Sequence, residues 1–148
     1  MARIKDFFIR QSFGFYAACL ALILLLIGTI LFSVNGTNEY YDDFSSVIPV
    51  LGVISVLLIA GILIASQKIH SVHLGLIWIA VIVLATVVLM ITLDRRVESM
   101  AYILGSDLEK DNPLAAPALM QYFIGMGIYL SGLVAAVVAG FSKITKDE

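Results

Sequence analysis

The chain has 148 residues, 61% of them hydrophobic and 14% charged, with a formal net charge of −2 and a mean hydropathy of +1.03. A soluble domain carries about 45–50% apolar and about 25% charged residues, and a disordered chain is less apolar still. Both are excluded, a single cysteine excludes a disulfide scaffold, and an integral membrane protein remains.

Residues 2–13 preface the first apolar run. Ile4, Phe7, Phe8 and Phe15 fall near one helical face, with Arg3, Lys5 and Arg10 around it. Such a segment lies in the headgroup layer, as an ordinary anchor flank or as a lipid-sensing or docking helix. The first span covers about residues 14–34. Its apolar run is too long for the core of a signal peptide and no A-x-A site follows, so it reads as a retained signal-anchor helix. Cys19 inside it has no partner thiol and reads as a small buried residue, or as an S-acylation site.

Residues 35–46 form the first loop at the far end of that span. Asn35-Gly36 is a turn pair, and Tyr40, Tyr41, Asp42, Asp43 and Phe44 follow. Boundary aromatics belong to an interfacial belt, yet an aromatic and acidic cluster also suits a cation, a sugar or a partner. Asn35-Gly36-Thr37 matches the glycosylation triplet, but it abuts the membrane and the motif is common by chance. Ser46 is placed to cap the second span, about 47–66, with Pro49 in its first turn. A turn containing Lys68, His70 and His73 follows. Two histidines without further ligands do not complete a metal site.

The third span covers about 74–93, and nothing breaks its helix before Gly105. It is expected to run past the lipid through Met100 or Ile103, with an Arg95–Glu98 pair on its surface. Asp94, Arg95, Arg96 and Glu98 make the densest charge group of the chain. They read as a solvated helix end or, with Met100, Tyr102 and Ile103 beside them, as a docking surface. Residues 106–109 read as a capping box opening one short turn, and Asn112-Pro113 as the cap and first residue of the fourth span, about 114–141. In that span Gly132, Ala136 and Gly140 recur every fourth residue. A small-xxx-small stripe admits another backbone closely, either within the bundle or from a separate protein's span.

Basic residues give the orientation. Arg3, Lys5, Arg10, Lys68, Lys143 and Lys146 lie on one side, which places both termini in the cytoplasm. Arg95, Arg96 and Lys110 lie on the other side against eight acidic residues, giving that side a net −5. No span contains an ionisable residue or a central proline. Proton-coupled transporters, pumps and voltage sensors place such groups inside the bilayer, and many secondary transporters break their helices there. Intramembrane hydrolases need Asp pairs, H-E-x-x-H or Ser–His sets, which are missing. The hydroxyls of Thr29, Ser33, Ser55, Thr86 and Ser131 are expected to bond their own helices.

Several four-span families are excluded residue by residue. The Trp-Gly-Leu-Trp of claudin-like proteins, the Cys-Cys-Gly of tetraspanins, the first-helix Glu of small multidrug exporters and the paired cysteines of thiol oxidases are all absent. The Phe7-Phe8 flank, the 13–16 entry to the first span, the Asn35-Gly36 exit and the aromatic loop resemble small uncharacterised four-span proteins of Gram-positive bacteria. The resemblance covers mainly residues 5–45. It implies the topology and a role as membrane partner of an extracellular enzyme, and it carries no functional motif.

The expectation is therefore an all-α, multi-pass plasma-membrane protein. Residues 1–148 form a single four-helix bundle with an extracellular cap from the first and third loops. Its expected role is that of a non-enzymatic accessory or scaffold subunit without cofactor, metal or catalytic site. Gly132, Ala136 and Gly140 would contact a partner within the membrane, and Tyr40, Tyr41, Asp43, Arg95 and Arg96 outside it. Expected partners are membrane lipid and another membrane or extracellular protein, or a second copy, and no nucleic acid. An oligomeric transporter or channel for a small neutral or lipidic solute is the alternative. A membrane enzyme would need Asp94, Glu98, His70 or His73 as a catalytic pair.

Overall fold

The computed structural model describes residues 11–67, 73–109 and 111–144. The expectations for residues 2–10 and His70 lie outside these, as does the side chain of His73. Four helices follow one another: α1 (Phe13–Gly36), α2 (Val47–Ala65), α3 (His73–Gly105) and α4 (Ala115–Gly140). A single 3-10 turn, Asp107–Glu109, separates α3 from α4. All four are long and apolar enough to cross a membrane. The shortest, with 19 residues, reaches about 28 Å, close to the roughly 30 Å of a hydrocarbon core.

The helices form a ring in which each packs on its chain neighbours, and α4 closes on α1. The α1–α4 seam is the tightest, because small residues let the backbones approach. A Cβ on Gly28 would lie 2.7 Å from Tyr129, and one on Gly132 would lie 2.9 Å from the backbone nitrogen of Leu25. Ala18, Ala21, Ala136 and Ala139 are buried along the same seam. Phe32 packs its ring against Tyr122 and Tyr129, with centroids 6.2 and 5.2 Å away, and fills the space the small residues leave. On the side of α1 that faces α2, Thr29 meets Gly52. On α3 the inward stripe is Leu74, Trp78, Val81, Ala85, Val88, Thr92 and Arg96, spaced by three or four residues.

Both ends of the α1–α4 seam are fastened. At one end the N–H groups of Ser12 and Gly14 donate to the carbonyls of Ile144 and Lys143, at 3.0 and 3.2 Å. Gly14 is required there, since a Cβ would run into the Lys143 carbonyl. At the other end, here called the cap end, the Asn35 amide donates to the Ala118 carbonyl at 2.9 Å.

Local signals hold in part. α3 continues to Gly105, a little beyond the expected Met100 or Ile103. The 3-10 turn forms, and its Leu108 N–H donates to Ser106 Oγ. Glu109, however, accepts from the Asn112 amide instead of reaching back to Ser106. Ser46 makes no side-chain cap; its carbonyl accepts the Val50 N–H and opens α2 without one. α4 begins at Ala115, two residues past Pro113, while Asn112 Oδ1 accepts the Leu114 N–H in a turn just before it.

Candidate functional site

Within the bundle the serine and threonine hydroxyls are satisfied locally, whereas the buried hydroxyls of Tyr122 and Tyr129 have no hydrogen-bond partner. Thr29, Ser33, Ser55, Thr86, Thr92 and Ser131 donate to carbonyls of their own helices, four residues back, at 2.7–2.9 Å. This is the intrahelical bonding expected of lone hydroxyls in an apolar span. No cluster of three metal-ligating side chains occurs among the described residues.

Among the described residues, the dense polar constellation sits at the cap end and is centred on Arg96. Its position on the inward stripe of α3, one turn after Thr92, turns the side chain into the bundle, where only 4% of the residue is exposed. Arg96 Nη1 and Nη2 donate to the two carboxylate oxygens of Asp43 at 2.7 and 2.8 Å, a bidentate pair. Arg96 Nε donates to Asn35 Oδ1 at 3.0 Å. The guanidinium carbon stacks 3.7 Å from the centre of the Tyr41 ring. Asn35 completes the set: its oxygen faces the arginine and its amide faces Ala118 and, at 3.4 Å, Gln121 of α4. These partners fix which way the carboxamide points.

One buried side chain thereby joins α1, the first loop, α3 and, through Asn35, α4. The loop is shaped to reach it. Asn38 Oδ1 accepts the N–H groups of Tyr40 and Tyr41, and Asp42 takes the left-handed conformation at φ 40°, so the chain doubles back to present Asp43. The Asp43 N–H then donates to the Gly36 carbonyl at 3.0 Å. A cavity of only about 10 Å³, with Phe32, Thr92 and Arg96 among its walls, remains behind the pair. Burial pushes the Tyr41 phenol above its ordinary range, although the adjacent guanidinium acts in the opposite direction. Tyr40, more exposed, is raised by burial and by the neighbouring Glu109 carboxylate.

The five residues expected to face an outside partner lie together at the cap end. Arg96 is enclosed, and Asp43 is held by it. Arg95, on the exposed side of α3, donates to the Asp43 carbonyl at 3.0 Å and lies 3.9 Å from its carboxylate, so its partner is the loop and not Glu98 as expected. Tyr40 and Tyr41 contact each other edge to face. With Asp43, Glu98, Tyr102 and Glu109 they line an open cleft of about 390 Å³. Gly132 and Ala136 are buried in the α1–α4 seam, and the half-buried Gly140 sits beside Trp78 of α3. The sequence marks Asn35 only as a turn and glycosylation residue and does not mark Gln121; their part in this cluster comes from the structure. The available signal is a carboxamide at the exit of the first span and another in the second turn of the fourth.

Comparison with known protein families, with functionally described proteins and with solved structures finds no match to this chain.

Proposed function

We propose that this chain is a non-enzymatic accessory or scaffold subunit of a plasma-membrane complex, with its termini in the cytoplasm and its cap outside. The observation that carries this reading is that its charged cluster and its serine and threonine hydroxyls are satisfied internally, the buried phenols of Tyr41, Tyr122 and Tyr129 being the exceptions. Arg96, Asp43 and Asn35 satisfy one another, and the span hydroxyls bond their own helices. Phe32, Tyr122 and Tyr129 fill the middle of the bundle. What such a molecule offers its surroundings is a rigid outer surface. Adhesion needs nothing more, whereas transport needs a polar path and catalysis needs free reactive groups.

Purification from the host in mild detergent, followed by mass spectrometry, tests the reading. A stoichiometric second polypeptide is expected. Recovery of the chain alone, together with solute flux in proteoliposomes, would replace the reading with that of a carrier.

A further inference from the structure

A recess beside the Arg96 cluster combines carboxylates with aromatic rings. The open cleft of about 390 Å³ has α3 as one wall, through Glu98 and Tyr102, and the first loop as the other, through Tyr40, Tyr41 and Asp43; Glu109 of the 3-10 turn also lines it. Glu98 and Tyr102 are four residues apart and so share a helix face. Tyr102 is 58% exposed although its ring is large. Asp43 is balanced by Arg96. Glu98 is exposed, and among the described residues no hydrogen bond or ion pair holds its carboxylate. One Glu109 oxygen accepts from the neutral Asn112 amide, which removes no charge. The cleft therefore keeps two uncompensated negative charges, and none of its described lining residues is basic.

These walls call for a cation with an apolar body. The carboxylates do not converge on a point: among the described residues no three acidic, histidine or cysteine side chains stand close enough to share a metal ion. A compact inorganic cation, which needs several oxygens around it, gains little from carboxylates held apart. An ammonium group bearing alkyl substituents is larger, and ring faces attract it as carboxylates do. The loop already shows this chemistry within the chain, where the Arg96 guanidinium stacks on the Tyr41 ring. The height agrees. Asp94, Arg95 and Glu98 are exposed and follow the apolar part of α3, so the hydrocarbon ends near residue 94. Glu98 then stands about 6 Å and Tyr102 about 12 Å beyond it. A headgroup layer is about 5–8 Å thick, so the cleft lies in and just above the layer that holds lipid ammonium groups.

We propose that this cleft binds an organic quaternary ammonium group of the choline type, held against the Tyr40 and Tyr102 rings with its charge balanced by Glu98 and Glu109. Two sources carry that group, a free cation in solution and a zwitterionic lipid headgroup, and both present the same chemistry to the cleft. A neutral sugar would stack on the rings but leave both charges uncompensated, and an anion would be repelled. The site does not rest on the accessory-subunit reading: a partner can co-purify while the cleft stays inert, and the reverse.

The test is equilibrium dialysis of radiolabelled choline against the full chain in an uncharged polyoxyethylene detergent, with protein-free micelles as the baseline. Saturable binding is expected, displaced by tetramethylammonium and not by an equal concentration of dimethylbutanol, the uncharged carbon isostere of choline. Glu98→Gln and Tyr102→Ala are each expected to weaken binding about fivefold, and Tyr102→Phe, which keeps the ring, to recover most of the Tyr102→Ala loss. Thermal unfolding reports whether each variant folds; should Tyr102→Ala fail to fold, the exposed Glu98→Gln decides. Nanodiscs separate the two sources. Binding in phosphatidylglycerol discs that phosphatidylcholine discs abolish assigns the lipid headgroup, and binding in both assigns the free cation. Absence of saturable binding, equal displacement by dimethylbutanol or by a hexose, affinity untouched by Glu98→Gln, or a Tyr102→Phe loss as large as that of Tyr102→Ala would each overturn the proposal.

Discussion

Arg96 and Asp43 lie 53 residues apart in the chain and meet through two parallel charge-assisted hydrogen bonds of 2.7 and 2.8 Å. The arginine side chain is 5% exposed and the aspartate 34%, so the pair is half sheltered from water. A bridge of this kind contributes geometry as much as energy: it sets where the first loop lies on α3 and α4.

Breaking the pair from the arginine side leaves Asp43 and Asn35 with unmet acceptors. Arg96→Met is expected to destabilise the protein by about 2–3 kcal/mol, below the value for a fully buried pair because Asp43 keeps water contact. Arg96→Lys retains the charge but loses the bidentate fork and most of the stacking on Tyr41, and recovers only part of the loss. Arg95→Ala, at the exposed neighbour, is expected to change stability by less than about 1 kcal/mol. Thermal unfolding in detergent orders the three variants, and an Arg95 effect equal to that of Arg96 would remove the latch from the account.

The α1–α4 seam makes a sharper prediction, because glycines on one helix differ in surroundings. Gly132→Ala places a methyl against Leu25, and Gly28→Ala places one against Tyr129. Each is expected to cost about 1–3 kcal/mol through overpacking. Gly127→Ala, with nothing within 4 Å of the added carbon, is expected to be neutral or slightly stabilising through helix propensity. Unfolding midpoints of the three alanine variants check this.

Alkaline titration probes the cap. The Tyr41 phenol is raised above its ordinary 10.0 mainly by burial, so the folded state holds its proton where the unfolded state has lost it. Stability from this group is complete below pH 10.0 and is lost as pH rises through the folded value. Wild type is therefore expected to lose more stability than Tyr41→Phe on going above pH 10.0, and a parallel decline of the two would count against burial of the ring.

Orientation is open to chemical labelling. With Cys19 replaced by alanine, single cysteines at Glu39 and Asp107 are expected to react with a membrane-impermeant maleimide on intact cells. One at Ser142 is expected to react only after lysis. The reverse pattern would invert the topology.

The four crossings were legible in the sequence because hydropathy is local and additive: some twenty apolar residues in a row give a span whatever surrounds them. The continuation of α3 past the lipid was legible for the same kind of reason, since no residue before Gly105 breaks it. Which side of each helix faces inward was not. Leu, Ile and Val surround these helices almost evenly, so no polar face marks the outside as it would in water. Arg95 and Arg96 are adjacent and identical in type, yet one stays at the surface and the other is enclosed, because a step of one residue turns the side chain by about 100°. The register of α3 against α4 and the fold of the first loop decide which of the two meets Asp43 and Asn35. The stripe of Gly132 and Ala136 could equally have served a neighbour's helix. Only the assembled bundle, with α1 seated against it, directs those residues inward and leaves the end of α3 bare.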